Sequence, residues 1–353
     1  MSATSEPPAG HLLTVEDLRV AFRTEEGVVQ AVDGVSFHVD AGEVLAIVGE
    51  SGCGKSVTGM TLMGLTRSPN ARFGGRATFD GRDLLAAGDD ELRRVRGAQI
   101  AMVFQDPMTA LNPVQRIGPQ LAEQIRAHAD LDRGEALERA RALLERVGIP
   151  RASDRLRAYP HELSGGMRQR TMIAMALSCD PRLLIADEPT TALDVTIQAQ
   201  ILEEVRRLRA ETGAGVILIT HDLGVVADVA DRVAVMYAGQ IVEEGTLDEI
   251  FYDPRHPYTW GLLGSIARVD RPRPERLPAI AGTPPSLAAP PRGCRFRPRC
   301  PHRFERCLEL PALEARAGDP HHLDRCWLTP EEKRAKRVVA GQIGLAGGEE
   351  AAA

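Results

Sequence analysis

The sequence predicts an α/β fold, and two features support that prediction. Short apolar runs at residues 44–48, 100–104 and 215–220 are typical of buried strands, and a glycine-rich turn follows the first of them. Between the runs lie stretches rich in Ala, Leu, Glu and Arg, such as residues 121–147, which favour helices. We therefore expect an α/β core with an antiparallel β subdomain, a helical insertion at about 107–180 and a small cysteine-bearing C-terminal region.

The glycine-rich turn has the composition of a phosphate-binding loop. It consists of Gly49, Glu50, Ser51, Gly52, Cys53, Gly54, Lys55 and Ser56, and Val57 begins the predicted helix that follows. Glycines let backbone N–H groups approach phosphate oxygens, and the helix N-terminus adds partial positive charge. Lys55 can reach the β- and γ-phosphates, while the Ser56 hydroxyl can bind Mg²⁺. A chance match is disfavoured by the flanking strand and helix, so the sequence predicts that the chain binds a nucleoside triphosphate.

Composition sets broad limits on the rest of the chain. Its 353 residues are 43% hydrophobic, with a net charge of −6 and a pI of about 5.9, which gives no support for binding nucleic acid. Residues 1–10 lack the features of a signal peptide and are expected to be disordered. No uninterrupted apolar run is long enough to span a membrane. These features favour a cytosolic chain whose six cysteines are reduced thiols or metal ligands.

Two residues that flank the predicted strands are candidates for the nucleotide site. Residues 12–39 are typical of strands and contain Phe22, which either stacks on an adenine ring or belongs to the core. Gln105 follows the apolar run at 100–104, at a strand end where ligands collect in open α/β sheets. Its amide can contact a metal ion or a water molecule.

A second cluster of polar motifs follows the helical stretch. Ser164 can cap a helix, and Gly165 and Gly166 permit close approach of an anion. An apolar strand then ends in Asp187, placed to hold Mg²⁺, and Glu188, suited to polarise an attacking water as general base. His221 follows the run at 215–220, where it can stabilise charge on a γ-phosphate.

Taken together, these motifs resemble the nucleotide-binding subunit of an ATP-binding cassette (ABC) transporter. The resemblance covers residues 11–264 and rests on the phosphate loop, Gln105, the signature stretch at 163–167, the acidic strand at 183–188, the stretch at 192–194 and His221. It implies an ATPase in which Phe22 stacks on adenine, Gln105 couples to the membrane subunit and His221 senses the γ-phosphate. It also adds Gln169 and Asp194 to the nucleotide-binding residues.

The resemblance further implies a mechanism. Two such domains meet head to tail with ATP between them, so that Ser164, Gly165 and Gly166 complete the partner's nucleotide site. Closure on ATP and opening after hydrolysis would then drive the membrane subunits between two states.

Three further stretches, at 104–113, 159–162 and 256–259, resemble the dipeptide and oligopeptide importer ATPases. This branch implies two permease subunits, a second and related ATPase subunit, an extracytoplasmic solute-binding protein and a place on the cytoplasmic face of the membrane. Relatives that import nickel, glutathione or another small solute remain an alternative. A soluble cassette ATPase of DNA repair or translation, and an exporter subunit, are less favoured because the chain has one cassette and no fused membrane domain.

Four cysteines cluster in the predicted C-terminal region at 265–330. Cys294, Cys300, Cys307 and Cys326 are separated by five, six and eighteen residues. Four thiolates suit tetrahedral zinc or a four-iron cluster, although these spacings do not match a paired C-x-x-C zinc ribbon. The resemblance implies a [4Fe-4S] cluster, with zinc as the alternative. The charge of such thiolates would be offset by nearby arginines, namely Arg292, Arg295, Arg297, Arg299, Arg303 and Arg306. Residues 331–353 are expected to form a flexible tail.

Overall fold

The β-strands form two sheets in the computed structural model, which describes residues 10–25, 27–190, 195–265, 280–316 and 318–339. In chain order the strands are β1 Leu13–Thr24, β2 Gly27–Val39, β3 Val44–Val48, β4 Ala71–Phe79, β5 Arg82–Asp83, β6 Ile100–Val103, β7 Leu183–Asp187, β8 Gly215–Thr220, β9 Arg232–Tyr237, β10 Gln240–Thr246, β11 Glu314–Ala315 and β12 Leu323–Asp324. The smaller sheet is antiparallel, with the order β2-β1-β4-β5. The larger sheet has the order β11-β12-β10-β9-β3-β8-β7-β6.

The larger sheet brings the predicted motifs to one edge. Strands β9, β3, β8, β7 and β6 are parallel neighbours, and every residue of β3, β6, β7 and β8 is buried. Continuous apolar strands are expected where both faces of a parallel sheet are covered. Because parallel strands end at the same edge, Gly49, Gln105, Glu188 and His221 all follow strand ends on that side.

The helices complete the core and form the predicted insertion. They are α1 Lys55–Leu62, α2 Asp89–Val95, α3 Pro107–Ala110, α4 Ile117–His128, α5 Arg133–Arg146, α6 Ala152–Arg155, α7 Gly165–Ala176, α8 Val195–Thr212, α9 Leu223–Val229, α10 Leu247–Tyr252, α11 Pro257–Gly264 and α12 Pro330–Val339. Helices α3 to α7 lie between β6 and β7 in the chain. Within the described part of the chain, none of these helices has both the length and the apolar character needed to cross a membrane.

The helical stretch predicted over 121–147 is divided into α4 and α5. Asp132 starts the second helix, because its Oδ1 accepts a hydrogen bond from the Glu135 N–H at 2.9 Å. In return, the Glu135 carboxylate accepts one from the Asp132 N–H at 2.8 Å. This reciprocal capping satisfies backbone donors that the new helix would otherwise leave unpaired.

The segment from residue 280 onward is joined to the larger sheet. Strand β12 pairs with β10, and beneath this pair the side chains of His322 and Glu243 meet at 2.8 Å with no exposed surface. The flexible tail predicted from residue 331 is wrong for its first nine residues, which belong to α12. Lys333 is buried there with its Nζ 2.6 Å from Asp324 Oδ1, an ion pair that holds α12 against the sheet. Residues 340–353 and 1–9 lie outside the described residues.

Candidate functional site

The phosphate loop is shaped by close backbone contacts. A Cβ atom on Gly54 would lie 2.3 Å from the carbonyl oxygen of Ala31, and Gly54 has a φ of 106°. A Cβ on Gly49 would lie 2.1 Å from the carbonyl oxygen of Met236. Neither position accepts a side chain, because a Cβ cannot approach an oxygen that closely. The glycines are therefore required by the path of the loop between β3 and α1.

Lys55, near the end of the phosphate loop, is buried. Its Nζ donates to the carbonyl oxygens of Gly49 at 2.7 Å and Glu50 at 3.1 Å. The ammonium group is thus held on the concave side of its own loop, where an ammonium can pair with phosphate oxygens. Cys53 is also buried, and burial raises the pKa of its thiol, which agrees with a packing role for this residue.

Two of the three predicted Mg²⁺ ligands, Ser56 and Asp187, are in direct contact. The Ser56 hydroxyl lies 2.9 Å from Asp187 Oδ1, which joins the start of α1 to the end of β7. Burial raises the pKa of Asp187, although the hydrogen bond from Ser56 opposes that shift. A hydroxyl and a carboxylate at this spacing are a donor set that suits a hard divalent cation.

Glu188 is the centre of a three-residue cluster at the same edge of the sheet. Its backbone has a φ of 48°, and its N–H donates to the Ile219 carbonyl at 2.8 Å. Its carboxylate accepts from Gln105 Nε2 at 3.0 Å and lies 3.2 Å from His221 Nδ1. Glu188 is only 7% exposed, whereas Gln105 is exposed and His221 is about half exposed. A buried carboxylate at the floor of an open site can accept a proton from a water molecule.

The predicted role of Gln105 as an Mg²⁺ ligand has no counterpart in these contacts. Among the described residues, its side-chain hydrogen bond is to Glu188, and no hydrogen bond joins it to Ser56 or Asp187. The structure therefore groups Gln105 with the candidate general base.

The signature residues face outward at the start of α7. Ser164 caps this helix, its Oγ accepting from the Met167 N–H at 3.3 Å, and Gly165 has no atom near a hypothetical Cβ. Ser164 and Gly165 are exposed and Gly166 is half-buried. Within the described part of the chain, no hydrogen bond joins these three residues to the phosphate loop. These three residues are therefore accessible to another molecule.

Gln169 is placed differently from the prediction. It is buried on the inner face of α7, and its Nε2 donates to the Pro189 carbonyl at 2.9 Å. This hydrogen bond connects α7 to the residue immediately after Glu188. The role of Gln169 as a nucleotide contact stays a prediction.

Three further residues were predicted to contact the nucleotide, namely Phe22, Val57 and Asp194. Phe22 on β1 and Val57 on α1 are both half-buried and pack against the core between the two sheets. Asp194 and the stretch 191–194 lie outside the described residues.

The four clustered cysteines line one pocket. Cys294, Cys300, Cys307 and Cys326 surround it together with Arg297, His302 and Trp327. No three of these described sulfur atoms lie within 4.8 Å of one another, and all four cysteines are free thiols. Burial raises the pKa of Cys294, and raises the pKa of Cys300 to about 11 and of Cys326 to about 12. Metal binding would therefore displace protons from these thiols.

The predicted charge compensation of the cysteines by Arg295 and Arg299 is not what the structure contains. Arg295 binds the Ala238 carbonyl and Asp33, and Arg299 binds Glu50 of the phosphate loop. The sequence did not predict the contact between Arg299 and Glu50, because no local pattern relates residues 249 positions apart.

A separate cluster of His11, His38 and Asp40 has the spacing of possible metal ligands. Its side chains, however, are satisfied without a metal ion. His11 Nδ1 lies 2.5 Å from Asp40 Oδ1, and Arg232 Nη1 lies 3.0 Å from His38 Nε2. Burial and the Arg232 charge lower the pKa of His38 to about 4, so His38 is a neutral hydrogen-bond acceptor for Arg232.

Two family models match the chain. The model described as "ABC transporter" matches residues 32–191, which include the phosphate loop and the acidic strand. The model described as "Oligopeptide/dipeptide transporter, C-terminal region" matches residues 242–307, which include Cys294, Cys300 and Cys307.

Curated relatives align along nearly the whole chain. The oligopeptide transport ATP-binding protein OppD of Bacillus subtilis is 53% identical over 91% of this chain and 90% of its own length. The dipeptide transport ATP-binding protein DppD of the same organism is 53% identical over 93% of this chain and 97% of its own length. OppD of Escherichia coli is 50% identical over 93% of this chain and 96% of its own length.

Solved structures share the cassette fold. A dimeric ATP-binding cassette in a post-hydrolysis state with ADP and Pi matches with a TM-score of 0.61 and 26% identity, over 67% of this chain and 98% of that one. The cbiO1 subunit of Clostridium perfringens, part of an ABC transporter complex, matches with a TM-score of 0.57 and 29% identity, over 69% of this chain and 91% of that one. The predicted cassette fold with an antiparallel sheet and helices is confirmed. The chain therefore belongs to the ABC transporter family, as an ATP-hydrolysing subunit of the branch that carries the oligopeptide/dipeptide transporter C-terminal region.

Proposed function

We propose that this chain is the ATPase subunit of an importer that takes up di- and oligopeptides through separate membrane subunits. One observation carries the proposal. The same chain contains the contacts of Asp187 and Glu188 at one edge of the larger sheet and the C-terminal region matched at 242–307. The residues at the sheet edge supply ATP hydrolysis, and the C-terminal region relates the chain to peptide transporters. The names of the OppD and DppD relatives support the same substrate class.

Each residue at the edge has a role that follows from its contacts. Loop N–H groups and Lys55 would hold the β- and γ-phosphates, and Ser56 and Asp187 would hold Mg²⁺, which would supply positive charge to the phosphates. Glu188 accepts a proton from the attacking water. His221 and Gln105 orient the Glu188 carboxylate, since each already binds one of its oxygens.

The outward-facing signature residues support pairing with a second ATPase subunit. Ser164 and Gly165 are exposed at the N-terminus of a twelve-residue helix, which favours bound anions. We place them, with Gly166, on the nucleotide held by the partner subunit, where Asp194 would also contribute to the interface. A related but different ATPase is the partner that fits the peptide-importer branch.

Exposed apolar side chains beside Gln105 support contact with membrane subunits. Met108 and Val114 follow Gln105 in the chain and are 41% and 81% exposed. Exposed apolar side chains next to a residue that binds the general base can relay a partner's movement to the catalytic edge. This surface would dock on two permease subunits at the cytoplasmic face of the membrane, with a solute-binding protein on the opposite side.

The test of the proposal is peptide uptake in the host organism. We expect deletion of the chain to abolish uptake of a labelled trialanine peptide, and we expect the wild-type chain, but not Glu188→Gln, to restore it. Uptake of labelled nickel and glutathione is measured in the same strains. A defect confined to nickel or glutathione would contradict the peptide assignment, and normal uptake of all three solutes would contradict import of these solutes by the chain.

We further propose that the cysteine pocket holds a [4Fe-4S] cluster through Cys294, Cys300, Cys307 and Cys326. Four thiolates around a single zinc ion would lie about 3.8 Å apart, given Zn–S bonds of about 2.3 Å. All four cysteines line one pocket, which brings together the four thiols that a [4Fe-4S] cluster needs, and zinc is the alternative. Such a cluster would supply a structural crosslink or an electron-transfer centre between residues 294 and 326.

Cys300→Ser and Cys326→Ser are each expected to reduce the metal content of the anaerobically purified chain to a small fraction. Wild type should contain about four irons with matching sulfide per chain and show the visible absorbance of a cluster. Cys179→Ser, outside the pocket, is the matched control and should retain the metal. Zinc in place of iron would support the alternative, and wild-type metal content in both pocket variants would contradict a four-cysteine site.

A further inference from the structure

Residues from the C-terminal half of the chain form hydrogen bonds with the phosphate loop. The Glu50 N–H donates to the Tyr258 hydroxyl at 2.9 Å, and the Glu50 carboxylate accepts two hydrogen bonds from Arg299, at 2.6 and 3.0 Å. A third contact joins the Cys53 carbonyl to the Gly239 N–H at 2.8 Å. The loop therefore has anchors at two of its residues, and all of them come from beyond β9.

Arg299 is itself fixed in place before it meets Glu50. Its guanidinium also donates to the carbonyls of Ile280 at 3.1 Å and Ala281 at 3.0 Å, and its side chain is only 4% exposed. The bidentate pair with Glu50 raises the pKa of Arg299. A buried, multiply bonded guanidinium loses little further entropy in binding a carboxylate, so its position determines where Glu50 lies.

The segment that contains Arg299 also supports the phosphate loop at Cys53. Residues 294–300 form a compact turn, in which the Cys300 N–H donates to the Phe296 carbonyl at 3.0 Å. Arg295, at the other end of this turn, donates to the carbonyl of Ala238. Ala238 precedes Gly239, whose N–H holds Cys53. Two of the three arginines of this turn, Arg295 and Arg299, therefore support both anchored residues of the phosphate loop.

The aromatic side chains make this support rigid. Tyr258 packs on Tyr237 with ring centroids 4.5 Å apart, and Phe296 packs on both rings at 5.3 and 5.4 Å. Tyr258 and Phe296 are fully or almost fully buried. The hydroxyl that binds the Glu50 N–H is thus fixed by the hydrophobic packing of α11 and the turn at 294–300.

We propose that Arg299 and Tyr258 are positioning residues of the ATP site, which set the path of the phosphate loop and so the affinity for nucleotide. A phosphate loop binds well only when its N–H groups already point inward, because ordering them on binding would cost affinity. The Arg299 charge also neutralises Glu50, an anion on a loop that must receive polyphosphate. This role rests on the proposed function of the chain as an ATPase.

The experiment measures ATP affinity and turnover for variants of the pair. Arg299→Gln should raise the Kd for a fluorescent ATP analogue, and the KM for ATP, by about tenfold. The turnover number at saturating ATP should stay within about twofold of wild type, because Arg299 touches no reacting atom. Tyr258→Phe should raise the Kd by a smaller factor, and Arg303→Ala, which changes an exposed arginine of the same region, should leave it unchanged.

A second change at Glu50 separates positioning from a purely structural role. Glu50→Gln introduced into Arg299→Gln should recover part of the lost affinity, because it removes the unpaired anion. A Kd for Arg299→Gln equal to wild type, with only a lower Tm, would overturn the proposal, and so would the absence of any recovery in the double variant. If Arg299→Gln does not fold, Arg299→Lys keeps the charge but loses the bidentate bond, and a wild-type Kd in that variant would equally overturn it.

Discussion

Glu188→Gln is expected to lower the ATP turnover number by about 10²–10³-fold while leaving the Kd for ATP close to that of wild type. Glutamine has the same shape, so it can remain between Gln105 and His221, but it cannot take a proton from water. The position of Glu188 strengthens this expectation, because its carboxylate is held by Gln105 and His221 at the floor of the site. Single-turnover hydrolysis and equilibrium binding of a fluorescent ATP analogue measure the two quantities separately.

The control for this experiment is Glu203→Gln, which makes the same chemical change at an exposed position of α8. It should hydrolyse ATP at the wild-type rate. Retention of more than about a tenth of wild-type turnover in Glu188→Gln would remove Glu188 as the general base. Loss of ATP binding together with turnover would instead show that the substitution disturbs the site.

Lys55→Met is expected to weaken ATP binding by about 100-fold or more and to abolish measurable hydrolysis. Lys55 is a buried cation held by the Gly49 and Glu50 carbonyls, and methionine fills similar volume without charge or donors. The phosphates would lose their nearest cation, and both carbonyls would lose a hydrogen-bond donor. Isothermal titration with ATP and Mg²⁺ gives the affinity directly.

The matched control is Lys336→Met on α12, where the side chain is half-buried and remote in sequence from the phosphate loop. Its ATP affinity should equal that of wild type. Wild-type affinity in Lys55→Met would exclude Lys55 from phosphate binding and would contradict the assignment of the loop. A similar loss in both variants would point to a general effect of lysine removal on the fold.

Residues close together in sequence were predicted well, since their chemistry is expressed locally. The phosphate loop needs glycines, a lysine and a hydroxyl in fixed order between a strand and a helix, and this order can be read directly. Asp187 and Glu188 were likewise recognised at the end of an apolar run. That Ser56 would lie 2.9 Å from Asp187 follows from the parallel pairing of β3, β8 and β7, which places their ends side by side.

At Gln169 the contacts in the structure differ from those that the motif predicts. It lies two residues after the signature stretch, four residues before the buried Ile173 and on the same inward face of α7. The helix periodicity, applied to each residue of the motif, would have separated it from the exposed Ser164. Its hydrogen bond to Pro189 could not be foreseen, because the partner carbonyl lies twenty residues away.

The amino-acid sequence alone determined the class of fold, the nucleotide chemistry and the family, because these depend on short segments whose residue types are dictated by local backbone geometry. Only the tertiary structure decided which charges pair over long distances. Arg299 was expected to compensate thiolates near it in sequence, but it binds Glu50, and α12 is held by Lys333 where a free tail was expected. The physical reason is that an arginine or lysine has a flexible side chain and pairs with whichever acceptor the packed chain places within its reach. Burial then strengthens the resulting charged hydrogen bond.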